Sequence, residues 1–211
     1  TCASATARTH IMAKSPLTGL LGSANMGGFF APELAWAGFH HLVIKGRADK
    51  PVYLWIKNGR IEIRDAAHLW GKSTTETQWA IREELGDDEI KSAVIGQAGE
   101  NLVRYAGIVG DGGHSASHNG LGAVMGSKNL KAIAVRGSGN IPIFDPDGFM
   151  KTCREAFNEL ANNPDTGGGR QKYGTNVILS LMDEVGIHPV RNFQKGKFAG
   201  ADRVNEDVVE E

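Results

Sequence analysis

The sequence predicts an α+β fold: a Gly-rich β-sheet domain over residues 1–140, followed by the start of a mostly helical domain over 141–211. Three observations carry this expectation. Short apolar runs separated by turn dipeptides fill the first part, and apolar residues at helical spacing fill the second. The 28 glycines, about twice average usage, are densest between residues 110 and 126.

Residues 1–50 are rich in Gly, Ala and Ser, with turn signals at Ser15-Pro16, Thr18-Gly19 and Gly27-Gly28, and read as loops between short strands. Pro51–Ile56 and Ile61–Arg64 flank Asn58-Gly59, the dipeptide that type I′ turns favour, and predict a hairpin. Ser73 and Glu76 have the spacing of a capping box, and Gly86 stands where the helix would stop. Ser92–Ile95 and Leu130–Val135 read as buried strands, with the Gly110–Gly126 region between them. Past residue 140, Asp145-Pro146 is an N-cap followed by proline at the first helical position. Phe149, Met150, Cys153, Ala156, Phe157 and Leu160 share one face of that helix. Pro164–Gly169 reads as a loop, and Val177, Leu181 and Val185 as a second helix stopped by Gly186.

Composition bounds the function. A chain of 211 residues, 41% hydrophobic and 22% charged, is ordinary for a folded domain. Lys+Arg 23 against Asp+Glu 24 leaves a net charge of −1, which argues against electrostatic binding to nucleic acid. No apolar run reaches the ~18 residues of a membrane span. Cys2 and Cys153 are too few for a disulfide framework or a metal cage, are expected to be inert, and suit a reducing compartment. The first residue is Thr and the last stretch is acidic, so both ends read as cuts through a longer polypeptide.

Gly110–Lys131 is the first chemical candidate. A Gly-rich run aligns backbone N–H groups into a concavity suited to phosphate, with Ser115, Ser117 and Asn119 as further donors. Its Gly120–Gly126 segment is spaced GxGxxxG, a poor dinucleotide fingerprint, and tight turns packing strands and a helix are the plainer reading. Ser23–Gly28, preceded by Arg8, could offer an amide and bare backbone to a ligand. His40 and His41 are adjacent and point apart on a strand, so they are poor joint metal ligands. His114 and His118 are four apart in a segment too rich in Gly and Ser for a helix. Lys128 and Lys131 could face a phosphate or simply end a solvated element, and Glu100 could act as an acid or base but reads more readily as a structural carboxylate capping a turn. Trp36, Trp55, Trp70 and Trp79 read as core or interface anchors, since no basic patch accompanies them.

Longer motifs go further. KSPLTG (Lys14–Gly19), ANMGG (Ala24–Gly28), ELAWAGF (Glu33–Phe39), KPVYLWI (Lys50–Ile56), IEIRDAAHLWGK (Ile61–Lys72), GQAGENLVRYA (Gly96–Ala106) and GAVMGSKNLKAIAVRG (Gly122–Gly137) occur in this order. Together they resemble the amino-terminal domain of tungsten-dependent aldehyde:ferredoxin oxidoreductases. KYGTNVI (Lys172–Ile178) and HPVRNFQKG (His188–Gly196) resemble the start of that family's second domain.

The resemblance implies a tungsten (or molybdenum) bis-pterin cofactor whose diphosphates are bridged by Mg²⁺, with residues 1–140 as the base on which the pterins lie. It implies oxidation of an aldehyde to a carboxylic acid, with electrons leaving through a [4Fe–4S] cluster to ferredoxin or an iron-sulfur electron-transfer subunit. It also implies a cytoplasmic homo- or hetero-oligomer. Carried over by position, Arg8, Asn25, Gly27, Gly28, His114, Ser115, Gly120 and Gly122 are the cofactor-binding residues, with backbone carbonyls of Asn25 and Ser115 toward Mg²⁺. The chain departs from the pattern where it reads HSASHNGLGAVMG: His114 and His118 stand in place of arginines and Ser115 in place of alanine. Losing two fixed charges beside a diphosphate should weaken binding or make it pH-dependent. Cluster cysteines and catalytic acid/base groups are expected outside these residues. FFAPELAWAG and the SAS segment resemble a second branch, the aryl-CoA (benzoyl-CoA type) reductases, whereas KSPLTG, GENLVRYA and RNFQ favour the aldehyde branch. A non-catalytic scaffold or cofactor-binding subunit is the third expectation, motivated by the His-for-Arg changes.

Overall fold

The computed structural model describes residues 3, 4 and 6–208. Cys2 and residues 209–211 lie outside the described residues. The chain divides between Pro142 and Ile143 into two compact units.

The first unit is built on a six-stranded sheet. Its strands are β3 (Val52–Lys57), β4 (Arg60–Asp65), β5 (Lys91–Val94), β6 (Ile108–Val109), β7 (Ser115–Ala116) and β8 (Leu130–Arg136), in the spatial order β4-β3-β8-β5-β6-β7. Only β3 and β8 run parallel, and both are interior strands. β8 is covered on both faces, which explains its nearly unbroken apolar run. A separate antiparallel ribbon pairs β1 (Thr9–Lys14) with β2 (Leu21–Met26).

The elements predicted from local signals form for the predicted reasons. Asn58 and Gly59 both have positive φ, +46° and +83°, as a type I′ turn requires, and β3 pairs with β4 across them. Helix α2, here Thr74–Leu85, opens on the Ser73/Glu76 capping box: Glu76 N–H donates to Ser73 Oγ (3.2 Å) and Ser73 N–H to Glu76 Oε2 (2.8 Å). It closes on Gly86 at φ +66°.

One expectation is corrected and a second is made specific. Residues 1–50 are not only strands and loops, because α1 spans Phe30–Trp36, with Glu33 buried and accepting from Arg136 NH1 and Gly137 N–H, each at 2.8 Å. The Gly110–Gly126 region also ends in a helix, numbered α4 (Leu121–Ser127) after the short α3 (Gln97–Glu100). Its glycines are demanded by packing. A Cβ at Gly126 would stand 1.9 Å from the Gly99 carbonyl oxygen, and one at Gly122 2.3 Å from that of Gly107.

The sheet has a core on each face. One gathers Met26, Phe30, Leu34, Ile56, Leu121 and Val135 beneath the ribbon, α1 and α4. The other gathers Tyr53, Trp55, Leu69, Ile81, Ile90 and Val94 beneath α2.

In the second unit, α5 runs from Pro146 to Asn162, capped by Asp145 Oδ1 accepting from Gly148 N–H at 3.0 Å. Of its predicted apolar face Cys153 is buried, while Phe157, Met150 and Leu160 stay exposed. Pro164–Gly169 is a wide helical turn rather than an open loop, leading into α6 (Arg170–Tyr173). Val177 lies in a 3₁₀ turn, and α7 covers Leu179–Val185 before Gly186 at φ +80°. Among the described residues no helix is long and apolar enough to cross a membrane.

Candidate cofactor-binding site

The β1–β2 ribbon has two unlike faces. Gly22, Ala24 and Met26 alternate inward and are buried, so Leu21, Ser23 and Asn25 point outward with His10, Met12 and Lys14 from the other strand. His10 faces Ser23 across the ribbon, its Nε2 2.6 Å from Ser23 Oγ, and His10 is the Cα partner of Asn25. The ribbon's outer face is thus an exposed shelf, polar but for Met12 and Leu21, with Arg8 and Gly27 at one end.

At that end the chain turns through Gly27 and Gly28 into α1. Gly28 has φ +81°, a conformation that excludes most side chains. His114 lies against both glycines. A Cβ at Gly28 would stand 2.8 Å from His114 Cδ2; one at Gly27 would stand 3.3 Å from Nδ1 and 3.5 Å from Arg8 NH1. The structure therefore brings Arg8, Gly27, Gly28 and His114 into one neighbourhood, with Asn25 two residues back on the shelf. Arg8, Asn25 and His114 are exposed.

The loop that carries His114 is held by its backbone and by Asp111. Gly110 N–H donates to the His114 carbonyl at 2.6 Å, and Gly112 and Gly113 turn the chain at φ +62° and +91°. Asp111 is buried. Its Oδ2 accepts from Phe29 N–H at 3.2 Å and its Oδ1 from Ser92 N–H at 3.1 Å. Farther along, Asn119 takes φ +66°; its Nδ2 donates to the Ser23 carbonyl at 2.9 Å, and its own carbonyl accepts from Ser15 Oγ at 2.8 Å.

The remaining sequence candidates sit differently. The Ser115 hydroxyl faces Gly107 and Ser117, accepting from Ser117 Oγ at 3.2 Å. Gly120 and Gly122 have a packing reason to be glycine: a Cβ at Gly120 would stand 1.8 Å from the Arg104 carbonyl oxygen. His118 opens a 3₁₀ turn, away from any helix shared with His114.

The lysines do not face the shelf. Lys131 is fully buried, bonds the Lys72 carbonyl at 2.8 Å and pairs with Glu100, whose oxygens also accept from Gly71 N–H at 3.0 and 2.9 Å. Burial pulls the Lys131 ammonium below the ordinary lysine range, and the Glu100 carboxylate opposes that pull. Lys128 Nζ donates to the Gly46 carbonyl at 2.9 Å. The phosphate alternative for Lys131 falls, and Glu100 is a structural carboxylate as expected.

His40 and His41 are both exposed on an extended segment at the rim of an apolar cavity of about 430 Å³ behind the ribbon, lined by Phe30, Leu34, Leu42, Val124 and Ile133. Among the described residues no group of three or more His, Cys, Asp or Glu could hold a metal ion. Sequence reasoning missed Asp111, whose only signal was an acidic residue directly before two glycines.

Residues 1–137 match the profile described as aldehyde ferredoxin oxidoreductase, N-terminal domain, and residues 151–211 that described as domains 2 & 3 of the same enzyme. A tungsten-containing aldehyde ferredoxin oxidoreductase of Pyrococcus furiosus is 52% identical over 191 residues, covering 90% of this chain and 32% of that protein. One from Thermococcus kodakarensis is 50% identical over 194 residues, 92% of this chain and 32% of that protein. A WOR-like subunit of an aliphatic sulfonate oxidoreductase, also from P. furiosus, is 34% identical over 203 residues. Among solved structures, the active-site complex BamBC of benzoyl coenzyme A reductase, bound to 1,5-dienoyl-CoA, superposes with a TM-score of 0.76. It is 42% identical, over 78% of this chain and 25% of that one. The chain therefore spans 32% of the length of the curated relatives it matches.

Proposed function

Since the chain belongs to the aldehyde ferredoxin oxidoreductase family, we propose that its first unit is the base of a tungsten (or molybdenum) bis-pterin site. The protein would oxidise aldehydes to carboxylic acids and pass electrons through a [4Fe–4S] cluster to ferredoxin or an iron-sulfur subunit, in the cytoplasm. The observation that carries the reading is the convergence of Arg8, Gly27, Gly28 and His114 at the end of an exposed, largely polar shelf.

The donor set fits an anionic, phosphate-bearing group. Arg8 offers a permanent cation with a planar fork of N–H donors, matched to phosphate oxygens. Gly27 and Gly28 expose bare backbone, so a ligand can approach to backbone distance. Both oxygens of Asp111, the neighbouring carboxylate, accept from backbone, the Phe29 and Ser92 amides. Asn25 and Ser115 would turn backbone carbonyls to Mg²⁺, and Gly120 and Gly122 complete the proposed set by letting the loop behind His114 pack closely. When bound, the cofactor supplies the two-electron redox chemistry; this chain's residues bind and orient it. The reading places cluster ligands and acid/base groups outside these 211 residues.

His114 supplies a donor where the family carries a fixed positive charge. His114→Arg is expected to raise cofactor retention, whereas a bulky replacement at Gly27 should abolish loading. Elemental analysis of anaerobically purified protein tests the whole reading. Tungsten or molybdenum with about four irons per metal supports it, as one cubane cluster requires. A protein free of these metals would leave a scaffold descended from the family.

A second reading has its own observation, the likeness to the benzoyl coenzyme A reductase complex. The same base would then serve a low-potential reduction of an aryl-CoA thioester. Turnover of simple aldehydes set against turnover of aryl-CoA thioesters separates the two.

A further inference from the structure

We infer that Asp111 and Asn119 are positioning residues of this site, a two-point clamp that fixes the loop carrying His114 against the segment carrying Asn25, Gly27 and Gly28. The inference rests on the proposed cofactor site. The two segments run in opposite directions; Asp111 reaches a backbone atom just past the shelf's end, and Asn119 one on the shelf strand itself. Asp111 takes the Phe29 amide, on the far side of Gly28. Asn119 gives to the Ser23 carbonyl, on the near side of Asn25. His114 lies between the clamps and is the residue that touches Gly27 and Gly28.

The clamps are needed because the loop is soft. Gly110, Gly112 and Gly113 carry little conformational preference of their own, and His114 is exposed. Each clamp is also anchored on its far side. The second oxygen of Asp111 is held by Ser92 N–H on β5. The carbonyl of Asn119 is held by Ser15 Oγ, which itself accepts from Leu17 and Thr18 amides at 3.1 and 3.2 Å. Position is thereby transmitted from the central sheet at one end and from the ribbon turn at the other. A shift of about 1 Å at such a site is enough to degrade function.

A matched control lies elsewhere in the unit. Asn58 also has a left-handed φ, also precedes a left-handed glycine, and makes a paired link of its own: Nδ2 to Ser138 Oγ and Oδ1 from Ser138 N–H, both at 2.9 Å. Both of these bonds go to Ser138, not to a shelf residue.

The test compares Asn119→Gly, Asp111→Asn, Asn58→Gly and Gly27→Val in the full-length protein, reading tungsten per chain after gel filtration beside thermal unfolding. Asn119→Gly should lower tungsten occupancy at least threefold, while Asn58→Gly costs similar thermal stability and keeps full occupancy. His114→Arg should raise retention in the wild-type background and lose that gain when Asn119→Gly is added. Wild-type occupancy in Asn119→Gly with empty Gly27→Val protein would overturn the clamp and leave the site. Equal losses in Asn119→Gly and Asn58→Gly would also overturn it, as general destabilisation. Full occupancy in Gly27→Val would remove the site reading itself. Should Asp111→Asn fail to fold, Asn119→Gly alone decides.

Discussion

Asn58-Gly59 and Asn119-Gly120 are the same dipeptide in the same conformation, with φ of +46° and +83° at the first pair and +66° and +69° at the second. Their surroundings differ completely. A Cβ at Gly59 would meet nothing within 4 Å, whereas one at Gly120 would stand 1.8 Å from the Arg104 carbonyl oxygen and 3.1 Å from Pro16 Cγ. The first turn lies exposed between two strands that pair directly, with the Asn58 side chain bonded to Ser138. The second is made by the chain around it, and its asparagine ties two distant segments together. Both asparagines bond a distant segment, but the glycine stands in open space in one place and against packed backbone in the other.

Alanine scanning of the two glycines should break that equivalence most sharply. Gly120→Ala must displace either α4 or the Arg104 backbone, on top of the ~1–2 kcal/mol that a left-handed alanine costs. Its total should exceed about 4 kcal/mol, the range of exceptional mutants, and the expected result is loss of soluble, folded protein. Gly59→Ala should cost only the conformational ~1–2 kcal/mol, read as a modest fall in Tm. Comparable losses at the two positions would refute the distinction.

The buried Glu100–Lys131 pair extends the tertiary side of the comparison. It joins α3 to β8 and, through Gly71 N–H and the Lys72 carbonyl, to the turn before α2. Glu100→Gln leaves a charged ammonium without its partner in the core, which costs about 3–5 kcal/mol. The pH dependence follows from the Lys131 ammonium being held below its ordinary range. In the pH interval below the ordinary lysine value the unfolded chain binds the proton more readily, so stability rises with pH there. Loss of the carboxylate deepens that slope. The penalty of Glu100→Gln should therefore shrink as pH is raised toward 10, measured by thermal unfolding at several pH values.

The same contrast explains what could be read in advance. Elements specified by adjacent residues were legible: the hairpin around Asn58-Gly59, the Ser73/Glu76 box, the Asp145-Pro146 cap and the apolar run of β8. Helices α1 and α4 were not. The N-terminus of α1 has no side-chain cap, and Pro32 falls in its first turn, while α4 opens on the left-handed Gly120 and holds two further glycines of ordinary helical backbone. Those glycines read as a loop because their reason lies in the backbone of residues 99 and 106–107. The site divides in the same way. Arg8, Asn25, Gly27, Gly28 and His114 could be pointed to through resemblance, and the structure gathers them at the end of the ribbon. Asp111 could not, because one acidic residue before two glycines says nothing of the two amides, at positions 29 and 92, that it binds.

The smallest expected effect lies at Tyr53, a tertiary contact on the face of the sheet away from the shelf. Its hydroxyl donates to Glu84 Oε1 at 2.7 Å, and Glu84 also meets His68 Nε2 at 3.0 Å. Burial, reinforced by the Glu84 carboxylate, pushes the Tyr53 phenol up to about 12. A phenol raised in the folded state keeps its proton after the unfolded chain has lost it, so its contribution is complete below pH 10 and declines as pH approaches 12. Tyr53→Phe removes the hydrogen bond at a cost of about 1–2 kcal/mol near neutral pH. The gap between wild type and variant should then close between pH 10 and 12. A gap constant across that interval would mean that the phenol titrates alike in both states, and that this joint, unlike Asn119, is held by packing alone.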